Sequence, residues 1–154
     1  MIHSQNVLKK ISIINFVHLH KNKNLNNMNS FLSLGRWFFA LPIAVFGSFH
    51  FMNASQMAPM IPSYLPAPMV WLFIAGAGLV AAAVAILLGK YDKLAAVLLS
   101  VELLLFVLLI HLPAVMARGD NLQLATANLF KDLCLSGAAM LYATYAAKDR
   151  SVVG

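Results

Sequence analysis

Histidine, lysine and carboxylate side chains at the ends of long apolar stretches are the residues that could do chemistry in this 154-residue chain. Imidazole, ammonium and carboxylate groups bind polar ligands and transfer protons, and ionisable groups at membrane depth are costly enough to indicate a function. His50 ends one apolar stretch, His111 ends another, and Lys131 and Asp132 begin a third, while Asn53, Gln56 and Asn128 lie just beyond. We predict that one polar site contains the following residues: His50, His111, Asn128, Lys131 and Asp132.

Glu102 lies eight residues after Leu94, where an apolar stretch begins. At about 1.5 Å per residue that places it about 12 Å into a helix, near the middle of a membrane. Nine residues separate Glu102 from His111, which is half a turn out of phase, so the two side chains should not share a site. A protonated Glu102 is expected either to bond a hydroxyl such as that of Tyr142 or Ser48, or to act as a proton relay.

Lys131 should need compensation, because the start of a helix repels cations and favours a carboxylate such as Asp132. Adjacent helix positions do not face each other, so Asp132 is not expected to bind Lys131 directly. We expect Lys131 to bond across the helices or to an anionic or carbonyl ligand. The alternative is that Lys131 extends to the membrane surface and the histidines are interfacial residues.

The composition indicates that the elements holding these residues lie in lipid. Charged residues make up 10% of the chain and hydrophobic residues 61%, whereas ordinary soluble proteins have about 25% charged residues. The single cysteine, Cys134, excludes an internal disulfide and any dithiol pair. No metal-ligand spacing, nucleotide loop, catalytic triad pattern or nucleic-acid motif is present.

The chain after residue 27 contains four stretches near the roughly 20 residues that a membrane-spanning helix requires. We predict an all-α, integral membrane four-helix bundle with spans at residues 31–52, 70–89, 94–112 and 129–147. Pro42 should kink the first span without ending it, and Pro113 should end the third. Close helix contacts are expected at small residues of spans two and four. In span two these are Ala77, Ala81 and Ala85, with Gly78 and Ala82 beside them, and in span four they are Ala139, Ala143 and Ala147.

Basic residues near the span ends predict the orientation. Most of them fall on the side that carries both termini, which the positive-inside rule assigns to the cytoplasm. We therefore expect a multi-pass protein of the bacterial inner membrane, with residues 28–154 as one membrane domain. Residues 1–27 contain four lysines and no acid. They are expected to be a disordered or dispensable extension, or else an amphipathic surface anchor.

Short motifs along the membrane domain resemble the DoxX family of small four-helix bacterial membrane proteins. They include Gly35-Arg36, Phe46-Gly47, His50-Phe51, Leu88-Gly89 and His111. The stretch that begins at Asn128 is similar to the family's Asn-x-x-Lys-(Asn/Asp)-Leu-x-x-x-Gly pattern. The resemblance covers about residues 31–147. The chain departs from many members at Gly78 and Leu79, where they carry an acidic residue, and at His50, where they carry a basic one.

The resemblance implies a four-helix fold and association with membrane redox enzymes, such as the thiosulfate:quinone oxidoreductase that includes the related DoxD protein. Our leading hypothesis is a membrane subunit of a quinone-linked redox system, at most an oxidoreductase subunit. In it, His50, His111 and Lys131 hydrogen-bond quinone oxygens or pass protons at the outer leaflet. The expected partners are the lipid bilayer and either redox-enzyme subunits or further copies of the chain, and not nucleic acid.

Three other hypotheses stay open. The first is a non-enzymatic integral membrane protein that supports assembly or stress tolerance through helix packing. The second is haem ligation by His50 and His111, although no cofactor is evident from spacing alone. The third is a small transporter or proton-coupled carrier, which would need Glu102 in an accessible path.

Overall fold

The computed structural model describes residues 30–149 and 151–153, and over these ranges the chain is helical and contains no strand. The α-helices are α1 (Gly35–Met52), α2 (Ala54–Met57), α3 (Pro68–Leu88), α4 (Asp92–Phe106), α5 (Leu112–Met116) and α6 (Leu122–Leu141). A 3₁₀ turn follows α2 at Ala58–Met60, and π turns follow α4 at Val107–His111 and α6 at Tyr142–Ala146.

Contacts between Cα atoms divide the chain into two units, residues 1–37 and 38–154. Of the first unit, the structure describes residues 30–37, which begin the first long helix. The predicted boundary after residue 27, and the basic extension before it, lie outside the described residues. The packed core and the cavity both belong to residues 38–154.

Three helices of the described chain are long and apolar enough to cross a membrane: Ser30–Met52, Pro68–Leu88 and Asp92–Met116. This confirms the predicted helical fold for the described residues, and the first three predicted spans coincide with helices that have the length and apolarity of a membrane span. Pro42 lies inside α1 and does not end it, as predicted. Helix α6 is as long as a span, but it is not among the three, and it carries Gln123, Asn128, Lys131 and Asp132.

The third span does not end before Pro113, contrary to the prediction, but continues through α5 to Met116. Proline lacks an N–H group, so the carbonyl of Leu109, four residues earlier, loses its usual helical donor. The Tyr64 hydroxyl, from the loop after α2, donates a hydrogen bond of 2.6 Å to that carbonyl. The neighbouring π turn and this outside donor let the helix pass through the proline.

Helix α6 begins at Leu122, seven residues before the predicted start at residue 129. Lys131 and Asp132 therefore lie well inside a helix, beyond the first turn where the helix dipole acts. The expectation that Lys131 sits at an unfavourable helix start was wrong. It failed because the prediction followed the apolar stretch, whereas the helix also includes residues 122–128, in which Gln123, Thr126 and Asn128 alternate with leucine and alanine.

The core is formed where α4 packs against α3 on one side and α6 on the other. The largest fully buried apolar side chains are Ile43, Ile86 and Leu99. Ala139, Ala143 and Ala147 are buried as predicted. On α3 the prediction was partly wrong, because Ala77 and Ala81 are exposed and Gly78 and Ala85 are half-buried. Ala82 is buried as predicted, together with Ala75, Gly76 and Ala83.

Helices α1 and α3 cross in backbone contact at two glycines. A Cβ atom added to Gly47 would lie 2.9 Å from the Gly76 carbonyl oxygen, and one added to Gly76 would lie 2.9 Å from the Gly47 oxygen and 2.8 Å from Cβ of His50. Small residues permit this approach where lipid supplies no hydrophobic drive for association. The crossing also determines where His50 lies.

Replacing Gly76 by alanine is expected to destabilise the protein by about 1–3 kcal/mol, because the new methyl meets backbone atoms that cannot yield. Gly137→Ala is the control, since nothing lies within 4 Å of a Cβ at that helical position. Alanine there should be neutral or stabilising by about 0.5–1 kcal/mol. Unfolding in mixed detergent micelles measures both variants. Equal effects at the two glycines would contradict the close crossing.

Candidate functional site

A cavity of about 520 Å³ lies among α1, α3, α4 and α6, beneath the loop that follows α2. Most of its wall is apolar, with Ile43, Leu72, Leu79 and Leu103 among the lining residues. The polar lining residues are His50, Asn53, Glu102, His111, Asn128, Lys131 and Asp132. The structure thus places all the predicted site residues in the wall of one cavity. Gln56 is exposed and is not part of the lining.

Glu102 and His111 line the same cavity, although their spacing predicts opposite faces of one helix. The π turn at Val107–His111 lies between them. A π turn closes its hydrogen bond over five residues, so it adds one residue and shifts the phase of the later part of the helix by about 100°. This irregularity brings His111 toward the side on which Glu102 lies.

Asp132 is the buried centre of an ionic cluster in the wall of the cavity. His111 donates from Nε2–H to Oδ2 of Asp132 over 3.0 Å, and the ammonium Nζ of Lys131 lies 3.2 Å from the other oxygen, Oδ1. The Asp132 side chain is 4% exposed. A carboxylate so buried must be paired and hydrogen-bonded, and here it has a partner at each oxygen.

Lys131 was predicted not to bind Asp132 directly, and that prediction was wrong. The rule that adjacent helix positions do not face each other concerns the directions in which side chains leave the backbone. Lysine carries its ammonium on a flexible four-carbon stem and can bend back to a neighbour. The contact expected across the helices is present as well, because Nζ lies 4.6 Å from the centre of the Phe46 ring on α1.

His50 has a defined tautomer. Its Nδ1 lies 2.7 Å from the Phe46 carbonyl oxygen, and because a carbonyl can only accept, Nδ1–H is the donor. In the neutral ring, Nε2 then carries the lone pair. The imidazole is stacked on Phe106, with ring centres 6.2 Å apart and planes 17° from parallel. His50 is thus held by α1 and by an aromatic side chain of α4.

Glu102 lies against the backbone of α3 at Gly78. A Cβ atom at Gly78 would be 2.7 Å from Oε2 and 3.0 Å from Oε1 of Glu102, so any larger residue there would displace the carboxyl group. Neither predicted hydroxyl partner bonds it, because Ser48 donates to the Ala44 carbonyl and Tyr142 to Asp92. Within the described residues, no hydrogen bond or ion pair joins Glu102 to another group.

The sequence reasoning missed a second buried carboxylate, Asp92, which lies at the start of α4 and outside the cavity lining. It accepts hydrogen bonds from the Tyr142 hydroxyl (2.9 Å) and from the backbone N–H groups of Lys148 (2.9 Å) and Asp149 (2.8 Å). Its position in the first turn of a helix, where acidic residues are favoured, was the signal available. Asp92 joins the α3–α4 turn to the segment after α6.

Asp149 completes this junction from the other side, since its Oδ2 accepts a 2.9 Å hydrogen bond from the Tyr91 N–H. The Ser151 hydroxyl, with the N–H groups of Tyr91 and Ser151, lowers the pKa of Asp149 to about 2. A lowered carboxyl pKa stabilises the fold above the unfolded-state pKa, and this contribution is lost as pH falls through about 2. The junction therefore stays charged at neutral pH.

Fold and cavity together define a class: a protein whose described residues are helical, with helices suited to a membrane and a mostly apolar cavity that has an ionic cluster in its wall. Residues 39–146 match a protein family described as a domain of unknown function, DUF8561. The chain belongs to this family, and the matched range contains every polar residue of the cavity lining. No curated protein and no solved structure matches the chain significantly.

Proposed function

We propose that the chain is a four-span protein of the bacterial inner membrane, related to the DoxX family, with both termini in the cytoplasm. Three helices meet the length and apolarity of a span. Helix α6 would be the fourth, because its two charged residues face the cavity and each other rather than lipid. The basic residues Arg36, Lys90, Lys93 and Lys148 would then lie on the cytoplasmic side.

Within that membrane protein, we propose a quinone-binding site that serves a membrane redox enzyme. The observation that carries this proposal is the presence in one cavity of a mostly apolar wall and of an ionic cluster formed by Lys131, Asp132 and His111. A quinone has the matching two parts, since its ring carries oxygens that hydrogen-bond and its tail is a hydrocarbon. The volume of about 520 Å³ is within the usual range of small-molecule sites.

The lining residues suit each part of such a ligand. Lys131 has ammonium N–H groups beyond the one directed at Asp132, and Asn128 has an amide, so both can donate to ring oxygens. Phe106, already stacked on His50, offers an aromatic surface to the ring. Ile74 and Leu105 line the cavity while remaining about half exposed, so a tail passing between them would reach the surrounding lipid.

Converting a quinone to its hydroquinone consumes two electrons and two protons. In this proposal a partner redox enzyme exchanges the electrons, and the chain supplies binding and proton transfer. The His111–Asp132 pair is suited to that role, because a carboxylate that accepts from one ring nitrogen orients the other nitrogen and raises its basicity. Glu102 is a second group in the same wall that could carry a proton.

A short-tailed benzoquinone should raise the thermal unfolding temperature of the purified protein, and Lys131→Met should weaken its binding about tenfold or more. The reason is that methionine nearly keeps the length of the side chain while removing its ammonium group from the lining, and a hydrogen bond to a charged group is worth about 1.5–3 kcal/mol. Ligand-induced shifts are compared with those of Lys90→Met, which removes an exposed lysine outside the cavity.

The unfolding temperature without ligand is recorded for each variant, so that destabilisation caused by losing the Lys131–Asp132 contact is distinguished from weaker ligand binding. If the unaltered protein shows no stabilisation by any quinone, the quinone site is refuted. An absorption band of haem in protein purified from native membranes would instead support ligation by the histidines. Co-purification of a dehydrogenase would support the redox-subunit proposal.

A further inference from the structure

We propose that the cavity recognises the reduced, hydroxylated ring, a hydroquinone or phenol, in preference to the oxidised quinone of the same shape. The inference rests on the proposed function, since it chooses between the two redox states of the ligand proposed above. It depends on which lining groups already have partners and on whether the groups left over donate or accept.

The strongest donors of the ionic cluster are directed at Asp132. His111 uses its Nε2–H on Oδ2, and Lys131 directs its ammonium at Oδ1. The remaining ammonium N–H groups of Lys131 do not discriminate between the two redox states, because a hydroxyl oxygen accepts a hydrogen bond as a carbonyl does. The amides of Asn53 and Asn128 both donate and accept, so they do not discriminate either.

The imidazoles contribute acceptors. The Nδ1–H of His50 is used on the Phe46 carbonyl, and the neutral ring therefore presents an accepting Nε2. By the same reasoning, a neutral His111 that donates from Nε2 carries its lone pair on Nδ1. No hydrogen bond within the described residues uses either of these two nitrogens.

Glu102 adds a third acceptor on the same wall. It lies one helical turn before Phe106 on α4 and on the same face, and Phe106 is the ring on which His50 is stacked. Its carboxyl group rests against Gly78 and has no partner within the described residues. As an ionised carboxylate it only accepts, whereas a protonated carboxyl group also donates and, like the two amides, does not discriminate between the two redox states.

The unpartnered groups of the cavity are therefore mainly acceptors in apolar surroundings, where a polar group without a hydrogen bond is costly. A hydroquinone brings two hydroxyl donors to them. A quinone brings only lone pairs, which would face the lone pairs of the imidazole nitrogens. A site built to bond a hydroxyl discriminates strongly against an analogue that lacks it.

The test compares three ligands with one decyl tail on the full chain in detergent: the 1,4-benzoquinone, its hydroquinone kept reduced under anaerobic conditions, and the hydroquinone dimethyl ether. We expect the hydroquinone to bind about tenfold or more tightly than the other two, by titrated shifts in unfolding temperature. His50→Phe, which keeps an aromatic ring beside Phe106 but lacks the accepting Nε2, should move the ratio toward one. Lys90→Met should leave the ratio unchanged.

The possible results distinguish failure of this inference from failure of the proposed quinone site. If the quinone binds as tightly as the hydroquinone or more tightly, the preference for the reduced ring is refuted while the quinone site stands. If none of the three ligands binds, the quinone site is refuted and the inference fails with it. If the hydroquinone is preferred but the ratio is the same in His50→Phe, the assignment of the acceptor is wrong.

Discussion

Asp132→Ala is expected to lower the free energy of unfolding by about 3–5 kcal/mol, the usual cost of breaking a buried ion pair by removing one partner. The carboxylate is buried, and the substitution leaves the Nε2–H of His111 and the ammonium of Lys131 without the acceptors at 3.0 and 3.2 Å. The same variant should lose quinone-induced stabilisation, because the ionic cluster of the cavity depends on Asp132. Unfolding in mixed micelles, with and without ligand, measures both effects.

Two further variants sharpen this test. Asp120→Ala removes an exposed carboxylate from the loop before α6 and should change stability little. Asp132→Asn keeps the shape and an accepting oxygen for His111 but removes the charge that matches Lys131, so an intermediate loss is expected. A stability of Asp132→Ala equal to that of the unaltered protein would contradict the central role of this carboxylate.

Asp92→Ala is expected to cost about 3 kcal/mol or more while leaving ligand affinity unchanged. The substitution removes the acceptor of the hydrogen bonds from the Tyr142 hydroxyl and from the Lys148 and Asp149 N–H groups. Each donor left unsatisfied in a buried position costs about 1–3 kcal/mol. Asp92 is not part of the cavity lining, so its loss should lower stability without changing ligand affinity. The loss of Asp132, in contrast, should lower both.

Hydrogen exchange locates the effect of Asp92→Ala. The amides of Lys148 and Asp149 should exchange faster, because their acceptor is gone. Asp149→Ala is the matched control, since that side chain is half-buried, whereas Asp92 is fully buried, and it accepts from Tyr91 and Ser151, so we expect a smaller loss of stability. Unchanged exchange at these two amides would show that Asp92 does not hold the segment after α6.

Helix content and membrane character were predictable from the sequence because they depend on composition averaged over many residues. A stretch such as Pro68–Leu88 is apolar along its whole length, and lipid leaves helix as the solution for a single such segment. The residues that form the polar site were also predictable. Ionisable residues are rare in these stretches and costly in lipid, so His50, His111 and Lys131 were expected to face one another in the interior of the protein.

The sequence did not predict which helix faces are buried, where His111 lies around its helix axis, or which polar side chains bond each other. Helix α3 is apolar all round, so nothing in it distinguishes Ala77, which is exposed, from Gly76, which contacts α1. A π turn before Pro113 changed the phase of His111, and periodicity arguments assume a regular helix. The start of α6 was missed because the prediction followed the apolar stretch, whereas the helix also includes residues 122–128.

By itself, the sequence determined that this protein is helical, that it is suited to a membrane and that few polar side chains can serve its interior. Only the tertiary structure decided that Glu102 shares the cavity of His111, that Asp132 is bonded by both His111 and Lys131, and that Asp92 binds the segment after α6. The physical reason is the distance along the chain over which each effect acts. Apolarity acts through the sum over a segment, whereas a hydrogen bond requires particular atoms from distant segments at about 3 Å.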